Sequence, residues 1–252
     1  MKSFPSYILN MAILVVAICF LGMRPATNLG YLRVEFSNFV GDDSLELDSG
    51  RYKNKLGQDF TVSNFKYYVS DFKLYTAKGD IYNFPREFLV RADDPKSFAM
   101  TLTAIPDGDY TSMSFTLGVD SAQNCSGAQS GALDPVNGMF WTWNTGYVFM
   151  KLEGKSSFSK SSGNIFEYHI GGYKAPANCI RKITLHLKDN PVKMRFEESS
   201  SIEIKTDILE ILQNPATNDF SELSSVTDFH HAEEFADNYK DMFSVLKIDN
   251  EQ

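Results

Sequence analysis

The sequence predicts an all-β protein, an antiparallel β-sandwich with a C-terminal helical extension. Short segments that alternate apolar and polar residues recur along most of the chain, with Gly, Pro, Asn and Asp turn signals between them. Regular short strands of this kind are typical of sandwich proteins. After about residue 205 the apolar spacing changes to the helical period, which indicates helices near the C-terminus.

Residues 1–26 are predicted to be a secretory signal peptide. Lys2 supplies a short positive region, and residues 11–21 form an apolar run of 11 residues, shorter than the roughly 20 residues that a transmembrane helix needs. Cys19 allows a second interpretation, a lipoprotein in which Cys19 is the lipidated first residue, but Val16-Ala17-Ile18 before it is a poor lipobox. Plain export to the periplasm or cell surface therefore ranks first, a lipid anchor second, and an uncleaved membrane anchor third.

Residues 27–252 are predicted to form a single domain, because all-β domains commonly reach this length and a chain of this size buries an ample core. Cleavage near Ala26 removes Lys2 and Arg24 and no acidic residue, so the net charge changes from -8 to -10. Phosphate contacts need clustered Lys and Arg, and the sequence has no such cluster. A nucleic-acid partner is therefore excluded.

Two cysteines remain after export, Cys125 and Cys179. An even pair in an oxidising compartment favours a disulfide, which would join the loop before the tryptophans to the loop after the strand with His169. The alternative is two unpaired thiols, because the sequence does not show whether the two Cα atoms lie within about 7 Å of each other.

Residues 31–39 form the first predicted strand, because Leu32, Val34 and Phe36 alternate with polar residues. The other predicted strands share this alternation or are rich in β-branched and aromatic residues: 45–47, 60–75 (one strand or two), 81–91 (broken by Pro85), 98–102, 110–119, 147–152, 165–170, 180–187, 191–196 and 201–205. Turns are predicted at 78–80 and 106–109, where glycine provides the positive φ.

Two helices are predicted near the C-terminus, at residues 206–213 and 232–243. The second has an apolar stripe at helical spacing, formed by Phe235, Tyr239, Met242 and Phe243.

Both tryptophans lie in one stretch, residues 133–154, which overlaps the end of a long polar loop at 120–138. The stretch starts with Asp-Pro and Asn-Gly turn signals and continues into a predicted strand. A long loop inside a compact domain is usually functional or disordered, and loops carry chemistry while a sheet holds them in place. The residues alone leave two interpretations of Trp141 and Trp143: core or loop packing, or a stacking platform for a sugar.

The histidines are candidate metal ligands, since imidazole is the commonest side-chain ligand and suits copper. In the strand at 165–170, His169 shares a face with Glu167, opposite the apolar row. It is either a metal ligand or a surface histidine bonded to a carboxylate. His230 and His231 precede the last helix, where one of them can point into a site or both can be solvated. His186 lies on a polar strand face and is predicted to be a surface residue.

Catalysis has little support in the sequence. Asp120, Asp134, Glu153 and Glu167 are available carboxylates, but nothing in the sequence fixes two of them at a catalytic separation. The Gly-x-Ser-x-Gly, His-Glu-x-x-His and Walker motifs are absent from the sequence. The protein is therefore predicted to bind and not to be an enzyme.

Five segments together resemble the MbnP-like family, exported bacterial β-proteins related to copper-binding proteins of methane oxidisers. The segments are Tyr67-Tyr68-Val69-Ser70, Gly118-Val119-Asp120-Ser121, residues 133–154, Phe166-Glu167-Tyr168-His169-Ile170-Gly171-Gly172-Tyr173, and Ala236-Asp237-Asn238-Tyr239 with Met242-Phe243. In copper-binding relatives a tryptophan is oxidised to kynurenine by a partner di-haem enzyme, and the product binds Cu(I) together with two histidines.

The resemblance implies copper as the bound metal and a di-haem cytochrome c peroxidase-like (MbnH-type) enzyme as partner. The implied metal ligands are His169, which falls on the family's His-containing strand motif, Trp141 or Trp143, and one of His230 and His231. The sequence departs from the family pattern at Thr145, where a studied relative has a His ligand. Met139 and Met150 offer soft thioether donors to Cu(I), although core packing is the better interpretation for Met150.

Two functions from different classes follow. The first is an exported protein that binds copper in the periplasm or on the cell surface. The alternative is an exported adhesion or ligand- or carbohydrate-binding module without a metal, in which the tryptophan loop is a packing element or a carbohydrate contact.

Overall fold

The computed structural model describes residues 29–142, 146–175, 177–195, 198–227 and 229–250, and the predicted signal peptide lies outside them. The strands in chain order are β1 (Leu29–Val40), β2 (Asp43–Ser44), β3 (Tyr52–Lys53), β4 (Asp59–Thr76), β5 (Ile81–Phe84), β6 (Phe88–Arg91), β7 (Ala99–Pro106), β8 (Gly108–Leu117), β9 (Phe140–Thr142), β10 (Gly146–Lys155), β11 (Ile165–Gly171), β12 (Tyr173–Lys174), β13 (Ala177–Asn178), β14 (Arg181–His186), β15 (Val192–Met194), β16 (Ser199–Asp207), β17 (Ser225–Val226) and β18 (Phe243–Asn250). The helices are α1 (Ser121–Cys125), α2 (Ile208–Gln213) and α3 (Ala232–Tyr239).

Strands dominate the structure, which confirms the predicted all-β class. The smaller sheet has the order β18-β16-β1-β2, with β7 also paired to β1, and the larger sheet has the order β14-β8-β4-β10-β11-β17 with further short strands attached. The sheets are mixed and not purely antiparallel as predicted, because β1 pairs with β16 in parallel and β11 pairs with β17 in parallel.

The core lies between the two sheets. Alternate residues of β1 face inward and are fully buried, as the sequence pattern predicts, and Phe36 is the largest of them. Its ring lies 5.7 Å from that of Phe115 and 6.0 Å from that of Tyr67, both on the larger sheet, in edge-to-face contacts. The aromatic rings of the two sheets therefore pack against each other in the core.

The long strand β4 changes the face it buries at a β-bulge. Phe65 and Tyr67 point into the core before the bulge, and Phe72 and Leu74 point into the core after it. The pairing with β8 shifts at Asp71, which has φ 49°. One extra residue reverses the alternation of side chains, which explains why the sequence pattern fitted both one strand and two.

The C-terminal helices are present, but the second ends earlier than predicted. Residues 240–242 follow α3 as a turn, and Phe243 begins β18, which pairs antiparallel with β16. Met242 and Phe243 are both buried, as residues on the apolar face of a helix would be. Their spacing from Phe235 and Tyr239 therefore predicted that the helix continues, although the chain has already turned into a strand. The short strand predicted at 45–47 is also shifted and forms at Asp43–Ser44.

The loop at 120–138 is structured and covers part of the outer face of the larger sheet. It contains α1 and two 3₁₀ turns, Gly131–Leu133 and Pro135–Asn137. The Tyr68 hydroxyl donates to the carbonyl of Ala132, at 2.9 Å, which fixes the loop to β4. Among the described residues, no helix is long and apolar enough to span a membrane.

Candidate metal centre

The candidate site lies on the outer face of the antiparallel pair β10 and β11. The register places Lys151 opposite His169 and Glu153 opposite Glu167. The intervening side chains Phe166, Tyr168 and Ile170 are fully buried. His169 and Glu167 therefore project from the opposite face of β11, as the alternation predicts.

Three side chains converge there with a spacing that suits a metal ion. One ligand atom each from Glu153, Glu167 and His169 lie within 4.8 Å of one another. The His169 Nε2 and Glu153 Oε1 atoms are 2.6 Å apart, and the two side chains are 15% and 28% exposed. Within the part of the chain that the structure describes, no other set of three His, Cys, Asp or Glu side chains brings its donor atoms this close together.

Hydrogen bonds hold Glu153 in its ionised form. The bond from His169 is the largest cause that lowers the pKa of Glu153 to about 2, and a bond from Asn64 Nδ2 to Glu153 Oε2, 2.9 Å long, lowers it further. The Lys151 Nζ atom lies 4.0 Å from Glu153 Oε1. It also donates a hydrogen bond to the carbonyl of Gly138, at 2.7 Å. Burial lowers the pKa of Lys151.

Trp141 packs on the strand that carries His169. It lies on β9, which pairs with β10, and its ring packs on Gly171, two residues from His169 along β11. A Cβ at Gly171 would lie 2.9 Å from Trp141 Cζ3 and 2.6 Å from the carbonyl oxygen of Tyr147, so glycine is required for this approach. Phe229 meets the Trp141 ring edge-on, at 6.2 Å between ring centroids.

Asn124 holds the loop that leads to Trp141. Its buried amide donates to the carbonyls of Val119, at 2.6 Å, and Asp120, at 2.9 Å, and its Oδ1 accepts from the backbone N–H of Tyr147, at 3.0 Å. A Cβ at Gly146, which has φ 76°, would overlap Asn124 Oδ1. The start of β10 is therefore locked to α1.

The other predicted histidine ligands lie outside the three-residue donor group. His230 directly follows Phe229, which contacts Trp141. His231 is the N-cap residue that precedes α3, and its Nδ1 lies 2.9 Å from Glu234 Oε2. Neither histidine belongs to the three-residue donor group. Trp143 and Cys19 lie outside the described residues.

The predicted disulfide between Cys125 and Cys179 is not formed in this structure, in which both thiols are free. Cys125 is exposed at the end of α1, with Sγ 3.7 Å from the Tyr173 hydroxyl, whereas Cys179 is buried in the core. Burial raises the pKa of the Cys179 thiol to about 12, which disfavours the thiolate form that binds metals.

The methionines that could supply soft donors are fully buried. Met150 lies opposite Tyr67 in the register of β10 and β4 and fills the core, and Met139 is likewise 0% exposed. The described donor group therefore consists of one imidazole and two carboxylates. Such a set fits a divalent ion such as Cu(II) better than Cu(I), which prefers thiolate and thioether ligands.

Comparison with known proteins agrees with this architecture. A profile described as MbnP matches residues 29–228, a range that includes the donor group and Trp141 and ends before His230. Among solved structures, MbnP from Methylosinus trichosporium is similar, with a TM-score of 0.51, 15% sequence identity, and coverage of 76% of this chain and 80% of that chain. This likeness shows the fold. No curated protein matches the chain significantly.

Proposed function

The chain belongs to the MbnP family, and on this premise we propose that it is an exported protein that binds copper in the periplasm or on the cell surface. The observation that carries the proposal is the convergence of Glu153, Glu167 and His169 on the outer face of β10 and β11. The protein would hold the ion without catalysing a reaction.

The donor group has the features of a binding site. Its members lie on paired strands that fix their separation, and they are only partly exposed, so water competes less for a bound ion. Imidazole and carboxylate both bind Cu(II). His169, Glu153 and Glu167 would hold the ion, with Asn64 orienting the Glu153 carboxylate.

We further propose that Trp141 belongs to the same functional region. In support, its ring packs on Gly171 of the strand that carries His169, and it contacts Phe229, the residue directly before His230. Trp141 or Trp143 would supply an aromatic or oxidised ligand, with His230 or His231 as a further nitrogen donor. A di-haem cytochrome c peroxidase-like partner of the MbnH type would oxidise the tryptophan, and any membrane attachment would be through a lipid anchor at Cys19.

Elemental analysis tests the proposed copper binding. The purified protein is stripped of metal, reloaded separately with Cu(II) and Cu(I), and compared with the His169→Ala and His186→Ala variants. His186 is an exposed histidine on β14, outside the donor group, and serves as the matched control. Stoichiometric copper is expected in the wild-type and His186→Ala proteins and is lost in His169→Ala. Equal copper in all three proteins, or none in the wild type, would refute the proposal.

A second function, carbohydrate binding, is favoured by one observation. Trp141 is partly exposed and touches Phe229, which is 37% exposed, so the two rings present an aromatic edge to solvent. A sugar that stacks on this edge would bind equally well in the presence of a chelator. Metal binding would instead be abolished by a chelator and weakened at low pH, because ligands must be deprotonated.

A further inference from the structure

A second surface lies at the other end of the larger sheet. It is a groove of about 610 Å³ on the outer face of β4, β8 and β14 and the turn that follows β4. Its lining includes the cationic or basic side chains of Lys182, His186 and Lys188 and no carboxylate. This composition is unusual for a chain with a net charge of -8.

Strand register assembles the groove from residues that are distant in sequence. On β14 and β8, Thr184 lies opposite Ser114 and His186 lies opposite Ser112. Ser112 also lies opposite Tyr75 of β4. The Ser112 hydroxyl donates to a backbone carbonyl of β14 and Ser114 is buried, so Thr184 offers the exposed hydroxyl of these strand positions, with positive charges around it.

The cations of the groove are not neutralised by carboxylates of the described chain. Lys182 Nζ lies 3.3 Å from the Tyr75 hydroxyl and 5.7 Å from the centre of its ring, and neither contact removes the positive charge. Lys188 forms no ion pair with any described residue. The acids close to these lysines in sequence or space do not pair with them: Asp80 accepts from Thr76 at 3.0 Å, Asp71 pairs with Lys73 at 2.8 Å, and the exposed Asp189 forms no ion pair among the described residues.

We propose that this groove binds the oxyanion group, phosphate or sulfate, of a small acidic solute. Lysine ammonium groups and the exposed Thr184 hydroxyl can donate hydrogen bonds to such oxygens, and a bound anion would neutralise the neighbouring positive charges. The volume lies in the range of small-molecule sites, roughly 300–1,000 Å³. The groove uses Tyr75 and Thr76 at the end of β4, whereas the donor group on β10 and β11 contacts Asn64 near the start of that strand, so the two sites share no residue.

The test is a titration of the metal-free, full-length exported chain with inorganic phosphate and with sulfate at low salt, followed by NMR. The Lys182→Gln/Lys188→Gln variant removes both lysines, and the Lys55→Gln/Lys240→Gln variant is the charge-matched control, because its lysines are exposed elsewhere. We expect saturable binding whose dissociation constant rises at least about tenfold in the first variant and is unchanged in the control. Retention of the wild-type circular dichroism spectrum shows that the variants fold.

Absence of saturable binding by the wild type, or equal weakening in both double variants, would overturn the proposal. Vesicles with anionic phospholipid headgroups form a second arm. Competition by free phosphate or a phosphorylated monosaccharide supports the small-solute site, whereas vesicle binding that free phosphate fails to displace contradicts it. The His169→Ala variant should bind phosphate like the wild type, so failure of copper binding and failure of this groove are separate results.

Discussion

Glu153 shows how a single residue depends on the fold. Its carboxylate accepts from His169 on β11 and from Asn64 on β4, so both of its bonding partners come from neighbouring strands. These bonds stabilise the charged form and lower the pKa to about 2. The same carboxylate is part of the donor group for the proposed metal.

The Glu153→Gln variant tests how much the charge of Glu153 contributes to the stability of the fold. At neutral pH we expect a loss of about 1–3 kcal/mol in the free energy of unfolding, because Gln replaces a charge-assisted bond with a weaker one. The folded-state pKa lies below the unfolded value of about 4.3, so the stabilisation is present above pH ~4.3 and is lost as the pH falls towards 2. Urea denaturation from pH 7 to pH 2 should therefore show the two proteins converging.

The control for that experiment is Glu222→Gln, because the Glu222 side chain is 74% exposed and its ion pair lies at the surface. It should differ little from the wild type over the whole range. If the difference in the free energy of unfolding between the wild type and Glu153→Gln stays constant down to pH 2, the Glu153 charge does not have this role.

Gly171 should be intolerant of substitution, since an added Cβ would meet Trp141 and the carbonyl oxygen of Tyr147. We expect Gly171→Ala to cost about 1–3 kcal/mol and to shift the tryptophan fluorescence, because the indole must move off β11. The Gly108→Ala variant is the control, since its nearest neighbour would be 3.9 Å away. Unchanged fluorescence in Gly171→Ala would mean that Trp141 does not pack on the strand.

At the scale of elements, the loop at 120–138 places β9 and Trp141 against the sheet. Asn124 is the residue that joins α1 to the backbone N–H of Tyr147 in β10. We expect Asn124→Ala to destabilise the protein by about 1–3 kcal/mol and to accelerate proteolysis within this loop, because the Tyr147 N–H loses its partner. Limited proteolysis with mass mapping measures this. Cleavage first at another loop, with 120–138 still protected, would argue against the role of Asn124.

The pairing of β10 and β11 shows what the sequence could predict about the site. Alternation placed His169 and Glu167 on the outer face, and the structure agrees. Glu153 was considered as a carboxylate but not joined to them, because alternation gives the face of a residue and not its neighbour on the next strand. Antiparallel pairing of the two consecutive strands would have placed Glu153 on the strand next to Glu167, but the register that sets the two residues opposite each other is not given by the sequence pattern.

The bulge of β4 shows what local patterns miss. Asp71 occupies a left-handed conformation, and nothing in the surrounding sequence marks an extra residue there. Asp and Asn tolerate this region better than other L-residues, but they do so at many positions without forming a bulge. The bulge is required by the pairing of β4 with β8, which is a contact between distant segments.

At the scale of the whole molecule, the all-β class and the family resemblance were predicted correctly, because both depend on patterns that extend along the chain. The parallel pairing of β1 with β16 was missed, since it joins segments that are separated by more than 150 residues. The final strand β18 was also missed. It is the edge of the smaller sheet and closes the core at Phe243, whose ring lies 5.0 Å from that of Phe115.

Phe243 should therefore contribute to the stability of the entire fold. Its side chain contacts the rings of Phe36 and Tyr67 in addition to Phe115, so Phe243→Ala leaves a cavity between the two sheets. We expect a loss of about 3–5 kcal/mol by chemical denaturation. Leu246→Ala, three residues along and 48% exposed, should cost well under 1 kcal/mol. Equal effects would show that β18 does not close the core.

Electron paramagnetic resonance of the Cu(II)-loaded protein tests whether Glu153, Glu167 and His169 hold copper. We predict a spectrum with nitrogen coupling from His169 that is lost in His169→Ala and kept in His186→Ala, and an affinity that falls at least about tenfold in Glu153→Gln. A wild-type protein that binds no Cu(II), or a spectrum that His169→Ala leaves unchanged, would contradict the assignment of this centre.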